Sequence, residues 1–204
     1  MLAPFQATII IDDDLKHVLA SSPFLKTAGH RVLCFHEIRD ALPDLASQVS
    51  PIVLVADFSR AQTTGWRFVQ EAEFDHRLFA VGVIAVTDPT DDSTFMTDMT
   101  DMTDMTDVAA TLSDPCSQAS LMTAIQEASV FATVRHSTRL KTLKATATVR
   151  DKANAIRVTQ GLAPISAAVW DRACNTLCRA EFDYGDDWQT VALAQIIDIL
   201  SEEI

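Results

Sequence analysis

Acidic and hydroxyl side chains stand directly after three short apolar runs in the first half of the chain. They are Asp12 and Asp13 after residues 9–11, Asp57 after residues 53–56, and Thr87 after residues 83–86. Apolar runs of this kind are typical of buried parallel strands, whose carboxyl ends meet at one edge of a sheet. Three carboxylates gathered there repel one another unless a cation lies between them, and an all-oxygen set suits Mg²⁺. The sequence therefore predicts a Mg²⁺ site made by Asp12, Asp13 and Asp57.

The segments around these residues alternate between strand-like and helix-like composition over the first 115 positions. Strands are predicted at residues 6–11, 31–35, 51–56 and 79–86, and helices at residues 15–28, 36–48 and 65–76. Alternation of this kind predicts a parallel sheet with helices on both faces, because each right-handed crossover lays its helix on the sheet. Pro23 predicts a kink or a late start in the first helix.

The acidic positions and their spacing resemble the receiver domain of two-component response regulators, over residues 5 to about 130. The resemblance implies an α/β fold, a doubly wound five-stranded parallel sheet of the flavodoxin-like order 2-1-3-4-5. It also implies that Asp57 accepts a phosphoryl group, that Asp12 and Asp13 hold the metal with it, and that Thr87 senses the phosphoryl group. The implied partner is a sensor histidine kinase or another signalling protein.

The chain departs from the family's pattern at several switch positions. The family has a lysine before a proline after its fifth strand, and this chain has Asp114 before Pro115. Thr111 stands where the family has an aromatic residue, and the usual Met-Pro after the phosphoacceptor is missing. Asp114 would add negative charge beside a phosphoryl group that itself carries about −2, so we expect phosphorylation to be disfavoured and its readout altered.

A Thr-Asp-Met repeat fills residues 97–107, in the interval before the fifth strand. Its period of three makes the methionines drift around a helix as a slanting stripe. The repeat is interpreted as a partly exposed helix lengthened by tandem duplication, and its four unpaired aspartates would weaken it.

The second part of the chain is predicted to be entirely helical, with a domain boundary between residues 1–130 and 131–204. Residues 117–157 contain no strong helix breaker and carry an apolar seam, which favours a helical extension used for homodimerisation. The seam consists of Leu121, Ile125, Ala128, Ala132, Leu140, Leu143 and Ala147. Gly161 and Pro164 mark a turn, Ser166 is a candidate helix cap, and two more helices follow around residues 165–177 and 188–200.

Positive charge is concentrated in one stretch of an acidic chain. The net charge is −12, yet residues 131–160 contain seven basic residues and one acidic residue, a net of +6. The seven are Arg135, Arg139, Lys141, Lys144, Arg150, Lys152 and Arg157. They form either a solvated helix face that docks on the acidic sheet region or an RNA-contacting surface. The second interpretation resembles the ANTAR-type antitermination regulators, so an RNA-binding regulator with a pseudo-receiver is the alternative function.

Composition and motifs narrow the remaining classes of function. No apolar run approaches the roughly 20 residues of a membrane helix, and a cytoplasmic location is expected. The four cysteines form no CxxC pair, and Cys174 and Cys178 are predicted to be buried free thiols. Asp12-x-Asp14 also begins the motif of haloacid dehalogenase phosphatases, but the threonine expected after it is absent. With no glycine-rich phosphate loop or nucleophile elbow, the chain is not expected to be an enzyme.

Overall fold

A five-stranded parallel sheet forms the first part of the protein. The computed structural model describes residues 7–12, 14–47, 51–59, 64–72, 75–87 and 108–183. The strands are β1 (Thr8–Asp12), β2 (Arg31–Phe35), β3 (Ile52–Asp57), β4 (Val81–Thr87) and β5 (Val108–Ser113). They lie in the order β2-β1-β3-β4-β5, and every neighbouring pair is parallel. This is the flavodoxin-like order, so the predicted fold class is confirmed.

In the described parts of the chain, six helices connect and follow the strands. They are α1 (Lys16–Ala20), α2 (Ser22–Thr27), α3 (Ile38–Ser47), α4 (Thr64–Ala72), α5 (Gln118–Thr159) and α6 (Ala167–Asp183). The predicted interruption at Pro23 is confirmed, because α1 ends at Ala20 and Pro23 lies in the first turn of α2. The helix predicted over residues 65–76 is shorter than expected, since α4 ends at Ala72 and residues 76–80 form turns.

The side chains of β1, β3 and β4 alternate between two apolar layers. Ile9 and Ile11 of β1 lie in one buried cluster with side chains of α1, α2 and α5, and Leu121 is one of those from α5. Ile10 lies in the other cluster, with side chains of α3 and α4 such as Phe68. Strands buried on both faces explain why the runs read as continuously apolar in the sequence.

Helix α5 is the longest element, and it lies directly on the sheet over its first part. Its 42 residues span about 63 Å at 1.5 Å per residue. The helix begins with a side-chain cap, because the Ser117 hydroxyl accepts a hydrogen bond from the Ser120 amide at 3.0 Å. Gly82 of β4 permits the close approach, since a Cβ atom there would collide with the carbonyl oxygen of Ala128. The helix is continuous across residue 130, and the predicted division of domains there remains a proposal.

A tight turn then reverses the chain into α6. Gly161 takes a φ of +77°, and the Leu162 amide donates to the Arg157 carbonyl at 2.9 Å. The Ile165 amide donates to Asn154 Oδ1 at 2.9 Å, and α6 packs against the second half of α5. The predicted turn at Gly161 is therefore present.

The two cysteines of α6 are free and buried, as predicted. Burial is the main cause that raises the pKa of the Cys174 thiol, which lies 3.5 Å from the Thr146 hydroxyl. The Thr-Asp-Met repeat at 97–107 and the helix predicted around 188–200 both lie outside the described residues. Within the described ranges, no helix is both long and apolar enough to cross a membrane.

Candidate functional site

Two of the predicted acidic residues meet at the carboxyl edge of the sheet. Asp12, the last residue of β1, is fully buried, and Asp57 ends the neighbouring strand β3. The Asp57 amide lies 3.5 Å from Asp12 Oδ2, a long hydrogen bond. The Asp14 amide donates to Asp12 Oδ1 at 3.1 Å. Two backbone amides therefore hold the two oxygens of the buried Asp12 carboxylate, and one of these amides belongs to Asp57.

Asp57 is partly exposed, and its carboxylate is held on one side by Ser59. The Ser59 amide donates to Asp57 Oδ1 at 2.8 Å and the Ser59 hydroxyl donates to the same oxygen at 2.6 Å. Within the described ranges no hydrogen bond reaches Asp57 Oδ2. The described hydrogen bonds therefore orient the Asp57 carboxylate through Oδ1. Sequence reasoning missed Ser59, although a serine two residues after an aspartate is a common local hydrogen-bonding pattern.

A glycine and a tryptophan of α4 support the segment that carries Asp57. A Cβ atom on Gly65 would collide with the Phe58 ring and would lie 2.7 Å from the Asp57 carbonyl oxygen. The Trp66 indole donates to the Phe58 carbonyl at 3.4 Å, and the two rings meet edge to face with centroids 5.5 Å apart. Gly65, eight residues after Asp57, therefore has a steric role: it lets α4 approach the residues at the end of β3.

Thr87 and Asp114 lie together on the neighbouring strands at the same edge. Asp57 pairs with Val86 across β3 and β4, so Thr87 is one residue further along at the sheet's edge. The Asp114 amide donates to the Thr87 carbonyl at 2.9 Å. The Thr87 hydroxyl donates to the Leu112 carbonyl at 3.4 Å, which directs it towards β5. The strand ends thus bring Thr87 and Asp114 to the edge where Asp12 and Asp57 lie.

Asp114 is partly buried and lies close to Cys116. Its Oδ1 atom is buried and accepts no hydrogen bond from the described residues. The pKa of the nearby Cys116 thiol is raised, first by burial and second by the negative charge of Asp114. The peptide bond that joins Asp114 to Pro115 is cis. The position where the resemblance expects a lysine therefore carries an anion.

The carboxylates of Asp12 and Asp57 are the kind of ligand that a magnesium ion takes. Mg²⁺ is commonly held by one or two carboxylates and keeps several waters, and Asp12 and Asp57 supply carboxylates at one edge. Asp13, the third predicted ligand, lies outside the described residues. Among the residues that the structure does describe, no group of three His, Cys, Asp or Glu side chains could hold a metal ion. The Mg²⁺ site therefore remains a proposal carried by two carboxylates.

The proposed RNA surface requires a correction at two of its seven residues. Arg135 is 1% exposed, and its guanidinium lies over the rings of Phe79 and Phe131, 4.5 and 4.4 Å from their centroids. Arg139 donates from Nε to His76 Nδ1 at 3.0 Å. Both side chains face the protein, as in the docking interpretation, because they lie on the stripe of α5 that faces the sheet and its loops.

The other five basic residues keep some exposure. Lys141, Lys144 and Lys152 are exposed, Arg150 pairs with Asp151 at 3.1 Å, and Arg157 donates to the Ala163 carbonyl at 2.7 Å. Of the seven basic residues, the three lysines are exposed on α5 and have no described ion pair with a carboxylate.

The predicted dimerisation seam is also corrected in its first half. Leu121, Ile125, Ala128 and Ala132 are all buried, and the first three belong to the apolar cluster under the sheet. Their spacing indicated a buried stripe correctly, but the protein's own sheet covers it. Leu140, from the second half of the seam, is 51% exposed.

Comparisons with known proteins identify the fold. No protein-family model and no curated protein sequence matches the chain. The crystal structure of adenylate cyclase from Rhodopirellula baltica is similar, with a TM-score of 0.51 at 17% identity over 66% of this chain and 94% of that one.

Response regulators and receiver domains make up most of the similar structures. The chemotaxis response regulator CheY4 of Vibrio cholerae has a TM-score of 0.46 at 18% identity, covering 61% of this chain and 98% of that one. A CheY-like response regulator receiver domain protein from Methanospirillum hungatei has a TM-score of 0.43 at 16% identity, with coverages of 63% and 95%. These likenesses are resemblances only, and the fold rests on the parallel strand order β2-β1-β3-β4-β5 of the sheet itself.

Proposed function

We propose that this chain is an atypical response regulator, in which the carboxyl edge of the sheet receives a signal and the α5–α6 hairpin is the output region. The meeting of Asp12 and Asp57 at that edge carries the proposal. A buried carboxylate fixed by two amides lies beside a partly exposed carboxylate that is held through one oxygen. Paired carboxylates at the ends of adjacent parallel strands are suited to a metal-assisted reaction with an anionic group.

Asp57 is the proposed phosphoacceptor. Its Oδ2 forms a bond to phosphorus while the bond from phosphorus to the donor's leaving group breaks, and the leaving group departs with that electron pair. Ser59 orients the carboxylate through Oδ1. Asp12 and Asp13 are the proposed metal-binding residues, and a bound Mg²⁺ would neutralise charge on the transferred group. Thr87 is the proposed hydroxyl sensor, and its bond to Leu112 would have to break before it could turn.

Asp114 is the residue that makes the proposed switch atypical. A phosphoryl group brings about −2 charge to the edge where Asp114 already places a carboxylate. Two like unit charges about 4 Å apart repel by about 4 kcal/mol at an effective dielectric constant near 20 and by about 1 kcal/mol in bulk water. The phosphorylated form is therefore expected to be sparsely populated or short-lived unless a partner supplies a cation.

The proposed partners follow from the same reasoning. A sensor histidine kinase is the proposed phosphoryl donor, and a cytoplasmic location is proposed with it. The proposed homodimer must use exposed side chains of α5, because the first half of the apolar seam is covered by the sheet. Val130 and Val134 are exposed large apolar residues on that part of α5.

Intact mass spectrometry after incubation with Mg²⁺ and acetyl phosphate tests the proposed chemistry. We expect a small fraction of the protein to gain about 80 Da, the mass of one phosphoryl group. Removing the metal with a chelator should abolish the gain. Asp57→Asn should also abolish it, because the amide lacks the nucleophilic carboxylate oxygen.

Asp114→Lys is the matched gain-of-function variant. Replacing the anion by a cation should raise the yield of phosphorylated protein by about tenfold or more, since 1.4 kcal/mol corresponds to a factor of ten. If neither the native chain nor Asp114→Lys gains mass, the phosphoacceptor role of Asp57 is wrong. An equal gain in Asp57→Asn would move the modification to another residue.

A further inference from the structure

The segment that joins α4 to β4 receives side chains from both helices of the hairpin. We call Ala72 and residues 75–79 the docking segment. From α5, Arg135 donates to the Phe79 carbonyl at 3.2 Å. From α6, Arg179 donates to the Ala72 carbonyl at 2.7 Å. These contacts fasten the hairpin to the amino edge of the sheet, at the opposite end of β4 from the acidic residues.

His76 lies at the centre of this contact and is held in one protonation state. It is buried, at 7% exposure, and its Nδ1 accepts the hydrogen bond from Arg139 Nε at 3.0 Å. A guanidinium can only donate, so Nδ1 must carry its lone pair. The hydrogen of the neutral ring is therefore on Nε2, which lies 3.7 Å from Asp171 Oδ1 of α6. One imidazole thus links α5 and α6 through its two nitrogens.

Protonation of the His76 ring is incompatible with its hydrogen bond from Arg139. An imidazolium has a hydrogen on each nitrogen, so it cannot accept from Arg139, and two cations would then face each other in a partly buried contact. Four charged side chains face His76: Arg139 from α5, Asp171 from α6, and Asp75 and Arg77 from the docking segment. Burial first and Arg139 second lower the pKa of His76, and they outweigh the two carboxylates that raise it.

We propose that protonation of His76 releases α6 and the adjoining second half of α5 from the docking segment. The first half of α5 stays on the sheet, where Leu121 and Ile125 are buried in the core. The released state leaves His76 in water with its ordinary affinity for a proton. Mild acid therefore favours the released hairpin, independently of any chemistry at the carboxyl edge.

The direction of the pH effect follows from linkage. The docked state has the lower pKa and the released state has a value near 6.5. Docking is therefore at full strength above about pH 6.5 and weakens as the pH falls from there towards the lowered value. Between the two values, the ratio of docked to released protein changes by up to about tenfold per pH unit.

The docked fraction is measured by amide hydrogen exchange of the whole chain. The two conditions are about pH 7.5 and about pH 5.5, which lie on either side of the ordinary histidine pKa. Exchange rates are first corrected for the pH dependence of intrinsic exchange. The protection factors of peptides from α6 should then fall by up to about tenfold per pH unit between the two conditions. Peptides from β3 should keep theirs. The comparison within one chain matters because His30 is also buried, accepts from the Ala7 amide, and has a pKa lowered mainly by burial.

His76→Gln and His17→Gln form the matched pair of variants. Glutamine can still accept from Arg139 but does not titrate, so His76→Gln should keep α6 protected at both pH values. His17 is exposed on α1, and His17→Gln should respond as the native chain does. Unchanged protection of α6 in the native chain would overturn the proposal without any variant. Loss of protection in His76→Gln equal to that of the native chain would overturn it as well.

Discussion

Arg135 shows at the scale of a single residue how a charge can belong to a core. Its side chain is almost fully buried between two phenylalanine rings and donates to a backbone carbonyl. The sequence offered a signal, because Arg135 follows Ala128 by seven residues and Ala132 by three, on the stripe of α5 that faces inwards. Charge alone made it look like a phosphate-binding residue. The aromatic partner Phe79 comes from a distant segment, and its position could not be inferred from α5.

Arg135→Ala should lower the free energy of unfolding by about 2–4 kcal/mol. A desolvated cation–π contact is worth about 2 kcal/mol, and a hydrogen bond from a charged donor is worth about 1.5–3 kcal/mol. The variant no longer buries a charge, and this gain offsets part of the loss. Urea denaturation measures the loss. Lys144→Ala, at an exposed position of the same helix, should change stability by less than about 0.5 kcal/mol. Equal losses in the two variants would contradict the buried role of Arg135.

At the scale of elements, strand positions were predictable and helix partners were not. The bounds of β1 to β4 lie within two residues of those predicted, because β-branched runs and their flanking turns are local signals. The seam of α5 was visible as a 3.6-residue period, but a period does not say what covers the stripe. Ser59 and Gly65 shape the candidate site through short contacts with Asp57 and Phe58. The position of Ser59 two residues after Asp57 is a local signal, whereas the sequence does not show that α4 approaches the end of β3 at Gly65.

Gly82→Ala should separate α5 from β4. The added methyl group would meet the Ala128 carbonyl oxygen, which is backbone and can move only if the helix moves. We expect a loss of about 2–3 kcal/mol in unfolding free energy, the upper part of the range for overpacking. Gly161→Ala is the control, because no atom lies within 4 Å of the new methyl and its cost, about 1 kcal/mol, comes only from the positive φ. A smaller loss for Gly82→Ala than for Gly161→Ala in urea denaturation would contradict the close approach.

The whole molecule carries its two chemically distinctive regions at opposite ends of the sheet. Asp12, Asp57 and Asp114 lie at the carboxyl edge, whereas His76 and the arginines that surround it lie at the amino edge. The first region could be predicted from the sequence because strand ends are local and all parallel strands end at one edge. The second could not, because it joins residues that are 63 to 107 positions apart in the chain.

Val134→Asp should dissociate the proposed homodimer. Val134 is 50% exposed on the part of α5 that covers the sheet, so a partner helix would bury it. Burying an unpaired carboxylate costs several kcal/mol, and we expect at least about a hundredfold weaker association by analytical ultracentrifugation. Val158→Asp, near the far end of α5, should have little effect if the contact is centred on the sheet. A native chain that is monomeric at high concentration would rule out the dimer.

The contact between Gly82 and Ala128 also makes α5 a lever with its fulcrum at the start of β4. About 30 residues of helix extend beyond that point, a rod of about 47 Å at 1.5 Å per residue. The short arm ends near the acidic residues, because α5 begins just after Asp114 and Pro115. A tilt of about 5° would therefore move the far tip by about 4 Å, since displacement grows with the length of the rod. The short arm, from Gln118 to Ala128, is about 15 Å long, so the same tilt moves its end by about 1.3 Å and moves the far tip about three times as far.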